Sequence, residues 1–89
     1  MKAIVTVVGK DRVGIIAGVC VKLAEYNVNV LDISQTVMQG YFTMMMATDV
    51  SEANIPLAEL STVMEAAGKE MGLSIRVQRE DIFEAMHRI

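Results

Sequence analysis

The chain has 89 residues and a net charge of −3, with its basic residues scattered. This allows one small domain and argues against nucleic-acid binding, which needs a basic face or stripe. A single cysteine excludes an internal disulfide framework, and no apolar run reaches the ~18 residues that span a membrane. No secretory signal pattern opens the sequence, so a cytoplasmic protein is expected.

The chain opens with a predicted strand and a predicted helix. Residues 2–8 are short and rich in β-branched side chains, which is typical of a strand, and Gly9 is expected to end it. Residues 13–26 repeat apolar side chains at helical spacing, in a stripe of Ile16, Val19, Cys20, Leu23 and Ala24. Asp11 or Arg12 is expected at the N-terminal boundary, and Asp11 is the better N-cap. Asn27 is expected to end this helix because asparagine tolerates the left-handed conformation found there.

A β-hairpin is predicted next. Residues 28–39 and 41–50 are both strand-like, and Gly40 marks the turn between them. The second strand carries three methionines in succession, so methionine points to both faces of the predicted sheet.

A second helix and a last strand complete the pattern. Residues 57–72 are amphipathic, with Pro56 suited to the first turn and Gly72 to the end. Residues 73–80 alternate apolar and polar side chains as a strand does, and residues 81–89 predict a short terminal helix.

The predicted order β-α-β-β-α-β indicates the α+β, ferredoxin-like class, a four-stranded antiparallel sheet with two helices on one face. Residues 1–89 then form one domain, with 81–89 as a C-terminal tail. The first predicted strand is apolar on both sides, yet the helices cover only one of them. The other face therefore needs the C-terminal segment, a partner or both, because large exposed apolar patches are unusual on monomers.

The stretch "VVGKDRVGIIAGVCVKLAEYNVNVLDISQ" at 7–35 resembles ACT domains, small regulatory modules that often sense amino acids. Its pattern is a strand, Gly-x-Asp-Arg-x-Gly-Ile, a helix, and Asn-Val-x-x-Ile on the second strand. With "YFTMMMATDV" and the closing helix and strand, the resemblance covers nearly the whole chain. The tail "IFEAMHRI" resembles that of stand-alone bacterial ACT proteins of uncharacterised function. Those proteins are similar to the ACT modules of glycine-cleavage regulators and formyltetrahydrofolate deformylases.

The resemblance implies domains that pair side by side into a larger sheet. A ligand then lies between the strand–helix loop of one copy and the second strand of its neighbour. By position, the implied ligand-binding residues are Asp11, Arg12, Val13, Gly14 and Ile15 in the loop, and Asn29 on the strand. The implied function is a non-enzymatic regulatory module that binds a small metabolite, an amino acid, at a homodimer interface.

Two departures from the family pattern concern the loop. Some members carry proline where this chain has Val13. Some serine-binding members carry a histidine where this chain has Gly9, which makes serine a doubtful ligand.

The chemistry of these residue types suits a zwitterion. A helix start offers free backbone N–H groups for a carboxylate, and Gly14 lets a ligand approach closely. Asp11 could receive an amino group, and Asn29 could bind through its amide. The structural alternative remains open: Asp11 caps the helix, Gly14 packs, Asn29 bonds to backbone and Arg12 is solvated.

Other functions have less support in the residues. An assembly module without a small-molecule ligand, which binds another protein through the sheet and its methionines, is the alternative function. Acylphosphatases share the order of elements, but their phosphate-binding loop is absent here and Asp11 would repel phosphate. There is no paired carboxylate for catalysis, and Cys20 and His87 lack partners for a metal site. The sequence therefore predicts no enzyme activity, no cofactor and no metal.

Overall fold

The computed structural model describes residues 1–82, which form a βαββαβ arrangement. The elements are β1 (Lys2–Lys10), α1 (Ile15–Glu25), β2 (Asn29–Met38), β3 (Tyr41–Asp49), α2 (Leu57–Met71) and β4 (Leu73–Arg79). The sheet is antiparallel throughout with the order β2-β3-β1-β4, so the predicted ferredoxin-like class is confirmed. Residues 80–82 are helical, as the start of the predicted terminal helix requires, and residues 83–89 lie outside the described part.

The core lies between one face of the sheet and the two helices. Alternate residues of the two central strands are fully buried, among them Val5, Val7, Met44 and Met46. They pack against apolar side chains of both helices, which include Leu23, Leu60 and Met64. Met45 faces the other way, so the prediction that methionine serves both faces of β3 is confirmed.

Two predictions about the first loop are wrong. Gly9 does not end β1; it pairs with Phe42 and Leu73, and a Cβ at this position would overlap the Leu73 side chain. Asp11 is not the N-cap, because α1 begins only at Ile15 and Gly14 precedes it with φ 91°. Only glycine adopts that left-handed conformation without strain, so the glycine sets where the helix begins.

Helix α1 is rotated slightly from the predicted apolar stripe. Its buried residues are Ile15, Val19 and Leu23, whereas Ala24, which the spacing assigned to the stripe, is exposed. The predicted end of the helix is confirmed, since Asn27 has φ 59°. The outer side of α1 carries small or branched apolar residues, Ala17, Val21 and Ala24.

Strand β2 is an edge strand that neither helix covers. Its residues are exposed except for the half-buried Val30, and a bulge at Leu31 shifts its pairing with β3. In its pairing with β3, Asp32, Ser34 and Thr36 share one face of the sheet, which is the face without helices.

Candidate functional site

The loop between β1 and α1 is held from two sides. The Asp11 backbone N–H donates to the Gly40 carbonyl in the β2–β3 turn at 2.8 Å. On the other side, the Arg12 guanidinium donates to the Met71 carbonyl at the end of α2. The loop backbone is therefore fixed between the hairpin turn and the second helix.

The Asp11 carboxylate is exposed and forms no hydrogen bond or ion pair with any residue in the range 1–82. Because the predicted capping role is not seen, the carboxylate remains available to an amino group. Arg12, by contrast, already has a partner in the Met71 carbonyl. Its contact fixes the loop, and a role of Arg12 with a ligand stays a prediction.

The start of α1 is open to solvent. Val13 is fully exposed and Gly14 is exposed, while the Ile15 side chain is buried in the core. Ile15 can therefore contact a ligand only through its backbone. The first-turn N–H groups have no acceptor within the helix, and no acidic side chain lies in that turn. This end of α1 can receive a carboxylate.

Asn29 lies at the opposite end of the sheet from this loop. Asn29 is the first residue of β2. The loop follows Lys10, the last residue of β1, which pairs with Tyr41. Tyr41 in turn pairs with Met38, the last residue of β2. Nine residues at ~3.3 Å each separate the two ends by about 30 Å. One chain therefore does not bring the six predicted site residues together.

The surroundings of Asn29 form an open cleft of about 480 Å³ between the end of α1 and the segment after β3. The Asn29 amide has no hydrogen-bond partner among residues 1–82, so the alternative in which it bonds to backbone is not seen. The other lining residues are Ala24, Asn27, Val28, Asp49, Ser51 and Glu52. Asn27 donates to the Glu52 carbonyl at 2.8 Å and holds one wall in place.

Asp49 gives this cleft a fixed negative charge. Ser51 lowers the pKa of the Asp49 carboxyl through its hydroxyl and through its backbone N–H, which lies 2.9 Å away. The N-terminal ammonium of Met1, 3.8 Å from the carboxylate, acts in the same direction. The cleft is therefore suited to a positively charged group of a ligand.

Comparison with known proteins gives the family. An ACT domain profile matches residues 2–78. The chain belongs to the ACT domain family. A UPF0237 protein of Listeria innocua is 52% identical over 89 residues, which is 100% of both chains.

Solved structures agree with this assignment. An ACT domain protein from Streptococcus pneumoniae superposes with a TM-score of 0.83 and 48% identity, covering 98% of each chain. A formyltetrahydrofolate deformylase from Pseudomonas syringae shares the fold over 88% of this chain and 27% of its own, with a TM-score of 0.78 and 22% identity. A chain described as a glycine cleavage system transcriptional repressor does so over 88% of this chain and 44% of its own, with a TM-score of 0.73 and 22% identity. The resemblance read from the sequence is confirmed.

Sequence reasoning missed most of the cleft in this ACT domain. Asp49 lies beside Asn29 because the two residues pair across β2 and β3. If residue pairs are counted back from the turn at Gly40, the predicted partner of Asn29 is wrong by one residue, because the bulge at Leu31 shifts the register. The predicted hairpin was therefore the available sequence signal for the pairing of Asn29 with Asp49, but it did not include the bulge.

Two further findings concern the described part of this ACT domain. Residues 1–82 contain no cluster of three or more histidine, cysteine or acidic side chains that could hold a metal ion. Neither helix found there has the length and apolar character needed to cross a bilayer.

Proposed function

We propose that the protein is a non-enzymatic regulatory module of the cytoplasm that binds an amino acid between two copies paired along β2. The observation that supports this proposal most directly is that the predicted site residues lie in two separate groups. The two halves of the predicted site, the loop at Asp11 and the cleft at Asn29, lie about 30 Å apart at opposite ends of β2. Both halves have polar groups without partners among the described residues.

A two-fold axis through the middle of β2 would join the two halves. Antiparallel pairing of β2 with its copy would set Asn29 of one chain beside Met38 of the other, next to the partner's loop. Both sites would be completed at once because the interface is symmetric. Pairing would also satisfy the open edge of β2, which is otherwise a template for unwanted association.

The apolar surface along this edge supports the same pairing. Ile33 and Val37 of β2 are 38% and 53% exposed, although both lie on the helix side of the sheet. Val21 of α1 is 61% exposed, and it lies one turn before Ala24, which lines the cleft beside Asn29. These four side chains would be buried when the two sheets join into one.

The proposed site would bind both charges of an amino acid. The start of α1 in one chain would receive the carboxylate through backbone N–H groups. The Asp11 carboxylate of that chain, or Asp49 in the facing cleft, would receive the ammonium group. The Asn29 amide would bind from the second chain. A ligand held by both chains favours the paired state and so transmits its presence to whatever the pair regulates.

Mass spectrometry of small molecules released from the purified native protein would test this proposal, together with a thermal-shift screen of amino acids. We expect one amino acid to be retained, and to be lost in Asp11→Ala and in Asn29→Ala. At 100 times its dissociation constant, a ligand adds about 2.7 kcal/mol of stability, which a thermal shift detects readily.

Glu65→Ala is the matched control, because Glu65 is an exposed carboxylate on α2 away from both halves of the site. Retention should be unchanged in this variant. Equal retention in Asp11→Ala, Asn29→Ala and the control would remove the proposed site.

A second candidate function is an assembly module that binds another protein and no small ligand. The exposed apolar side chains along β2 favour it, because an open strand edge can also accept a strand of another protein. In that case no amino acid would raise the melting temperature. A strand-forming peptide or protein would raise it instead, and Ile33→Lys would abolish the effect.

A further inference from the structure

The face of the sheet opposite the helices is open within residues 1–82. Its centre is apolar, formed by Ile4 and Val8 of β1 with Met45 and Ala47 of β3. Val8 and Met45 are 42% and 39% exposed, and Ile4 and Ala47 are half-buried. We call this surface the uncovered face. Continuous apolar surface of this kind is normally packed against another element.

The chain leaves β4 at a corner of this face. Arg79, the last residue of β4, pairs with Ala3 near the start of β1. Beyond it, Glu80 and Asp81 line a shallow depression of about 230 Å³ together with Lys2 of β1. The residues that follow β4 therefore turn towards β1 and the centre of the sheet.

The helix side of the sheet is already filled at this corner. Ala3 and Thr48 are fully buried there, and Val50 is 6% exposed. The Val50 backbone N–H donates to the Met1 carbonyl at 2.9 Å, so the segment after β3 closes that side. Ile4, on the other side, keeps part of its surface exposed. A segment that continues from β4 therefore meets open apolar surface on the uncovered face.

The sequence after β4 carries the apolar stripe that such a surface needs. Ile82, Met86 and Ile89 are spaced four and three residues apart, which places them on one side of a helix. Glu84 falls on the opposite side. Residues 80–82 are helical, and Ile82 is 44% exposed. The stripe therefore begins at a residue that has apolar surface left to bury.

The length of this segment matches the width of the sheet. A helix over residues 80–89 is about 15 Å long, at about 1.5 Å per residue. The sheet order places β2 three strand spacings from β4, which is about 14 Å. A helix that starts at the end of β4 and crosses the strands therefore passes over β1 and β3 and ends at β2.

We propose that residues 83–89 cover the uncovered face of their own chain, as a helix that continues from 80–82. Met86 then lies about 9 Å along the helix, and β3 lies about 10 Å from β4. A depression of about 190 Å³, which Ile4, Met45 and Ala47 help to line, receives the Met86 side chain. The uncovered face is then closed to other proteins, so association is confined to the edge of β2. This inference does not depend on the proposed ligand site.

Disulfide trapping in the full chain tests the contact. In a Cys20→Ala background, Ala47→Cys with Met86→Cys should form a disulfide within one chain on mild oxidation. The matched control is Ala47→Cys with Glu84→Cys, in which the second cysteine lies on the opposite side of the helix. Its yield should be roughly tenfold lower, because a disulfide needs Cβ atoms within about 4.5 Å of each other.

Intact-mass spectrometry and non-reducing electrophoresis measure both yields. Equal yields in the two pairs would show that residues 83–89 meet this face without a fixed orientation. A disulfide between two chains would place the segment on a second copy. Either result overturns the proposal, as does the absence of a disulfide in the first pair.

Oxidation by peroxide gives a second measurement that needs no engineered cysteine. Because methionine oxidation follows exposure, Met45 should react slowly in the native chain, and Met86→Lys with Ile89→Lys should raise its rate about fivefold or more. Met38, which is 67% exposed at the far end of β2, is the internal control and should react equally fast in both proteins. Circular dichroism checks that the variant is folded. An unchanged rate at Met45 in the folded variant would mean that residues 83–89 do not cover the face.

Discussion

Two glycines within the helices, Gly18 of α1 and Gly68 of α2, have different contacts. A Cβ on Gly68 would lie 3.0 Å from the Leu73 carbonyl oxygen and 2.8 Å from Ile75 Cγ1, and the carbonyl belongs to backbone that cannot move away. A Cβ on Gly18 would meet only the terminal methyl of Met71, at 2.8 Å. Methionine adapts easily, so the second position can accept a side chain at little cost.

Substitution of these glycines by alanine should therefore have opposite effects. Alanine within a helix is favoured over glycine by about 1 kcal/mol. Gly18→Ala should keep much of that gain, whereas Gly68→Ala should lose roughly 1–3 kcal/mol because α2 is pushed from β4. Urea unfolding of both variants measures the difference. Equal changes in the two would show that the close approach of α2 to β4 does not constrain Gly68.

Asp49 makes a small part of the stability depend on pH. Because Ser51 lowers the pKa of Asp49 in the folded chain, this contribution is present above the ordinary pKa of an aspartate. It is lost as the pH falls through the lowered value. Ser51→Ala should raise the pKa of Asp49 towards its ordinary value, which a carboxyl-carbon NMR titration would detect. A midpoint that does not move would contradict the assigned cause.

At the scale of elements, the sequence predicts the features that depend on the periodic spacing of apolar side chains. Alternation identified the inward residues of β4, and Asn27 and Gly72 marked the ends of the two helices. The start of α1 was misjudged because Asp11 is a good cap by type, whereas the left-handed Gly14 decides the position. The opposite placement of Asp11 and Asn29 follows from tertiary pairing, which local patterns do not encode.

The open edge of β2 gives a prediction for this element. If two copies pair along β2, the amide protons of β2 should exchange with solvent on the order of tenfold or more slowly than in an unpaired chain. Ile33→Lys should remove the protection by burying a charge in the seam. Ser74→Lys, on the exposed face of β4 at the other edge, is the control and should leave β2 protected. Fast exchange of β2 in the native protein would contradict pairing along this edge.

At the scale of the whole molecule, a site shared between two chains couples ligand binding to assembly. A ligand present at 100 times its dissociation constant stabilises the pair by about 2.7 kcal/mol at each of its two sites, and together the two sites raise the pairing constant by roughly ten-thousandfold. Sedimentation equilibrium with the amino acid that gives the largest thermal shift should show this increase. By the same linkage, Ile33→Lys should weaken binding of that amino acid, since an unpaired chain supplies only half of the contacts. Equal affinity in the native protein and in this variant would mean that one chain binds the ligand alone, and the regulatory consequence of pairing would then be lost.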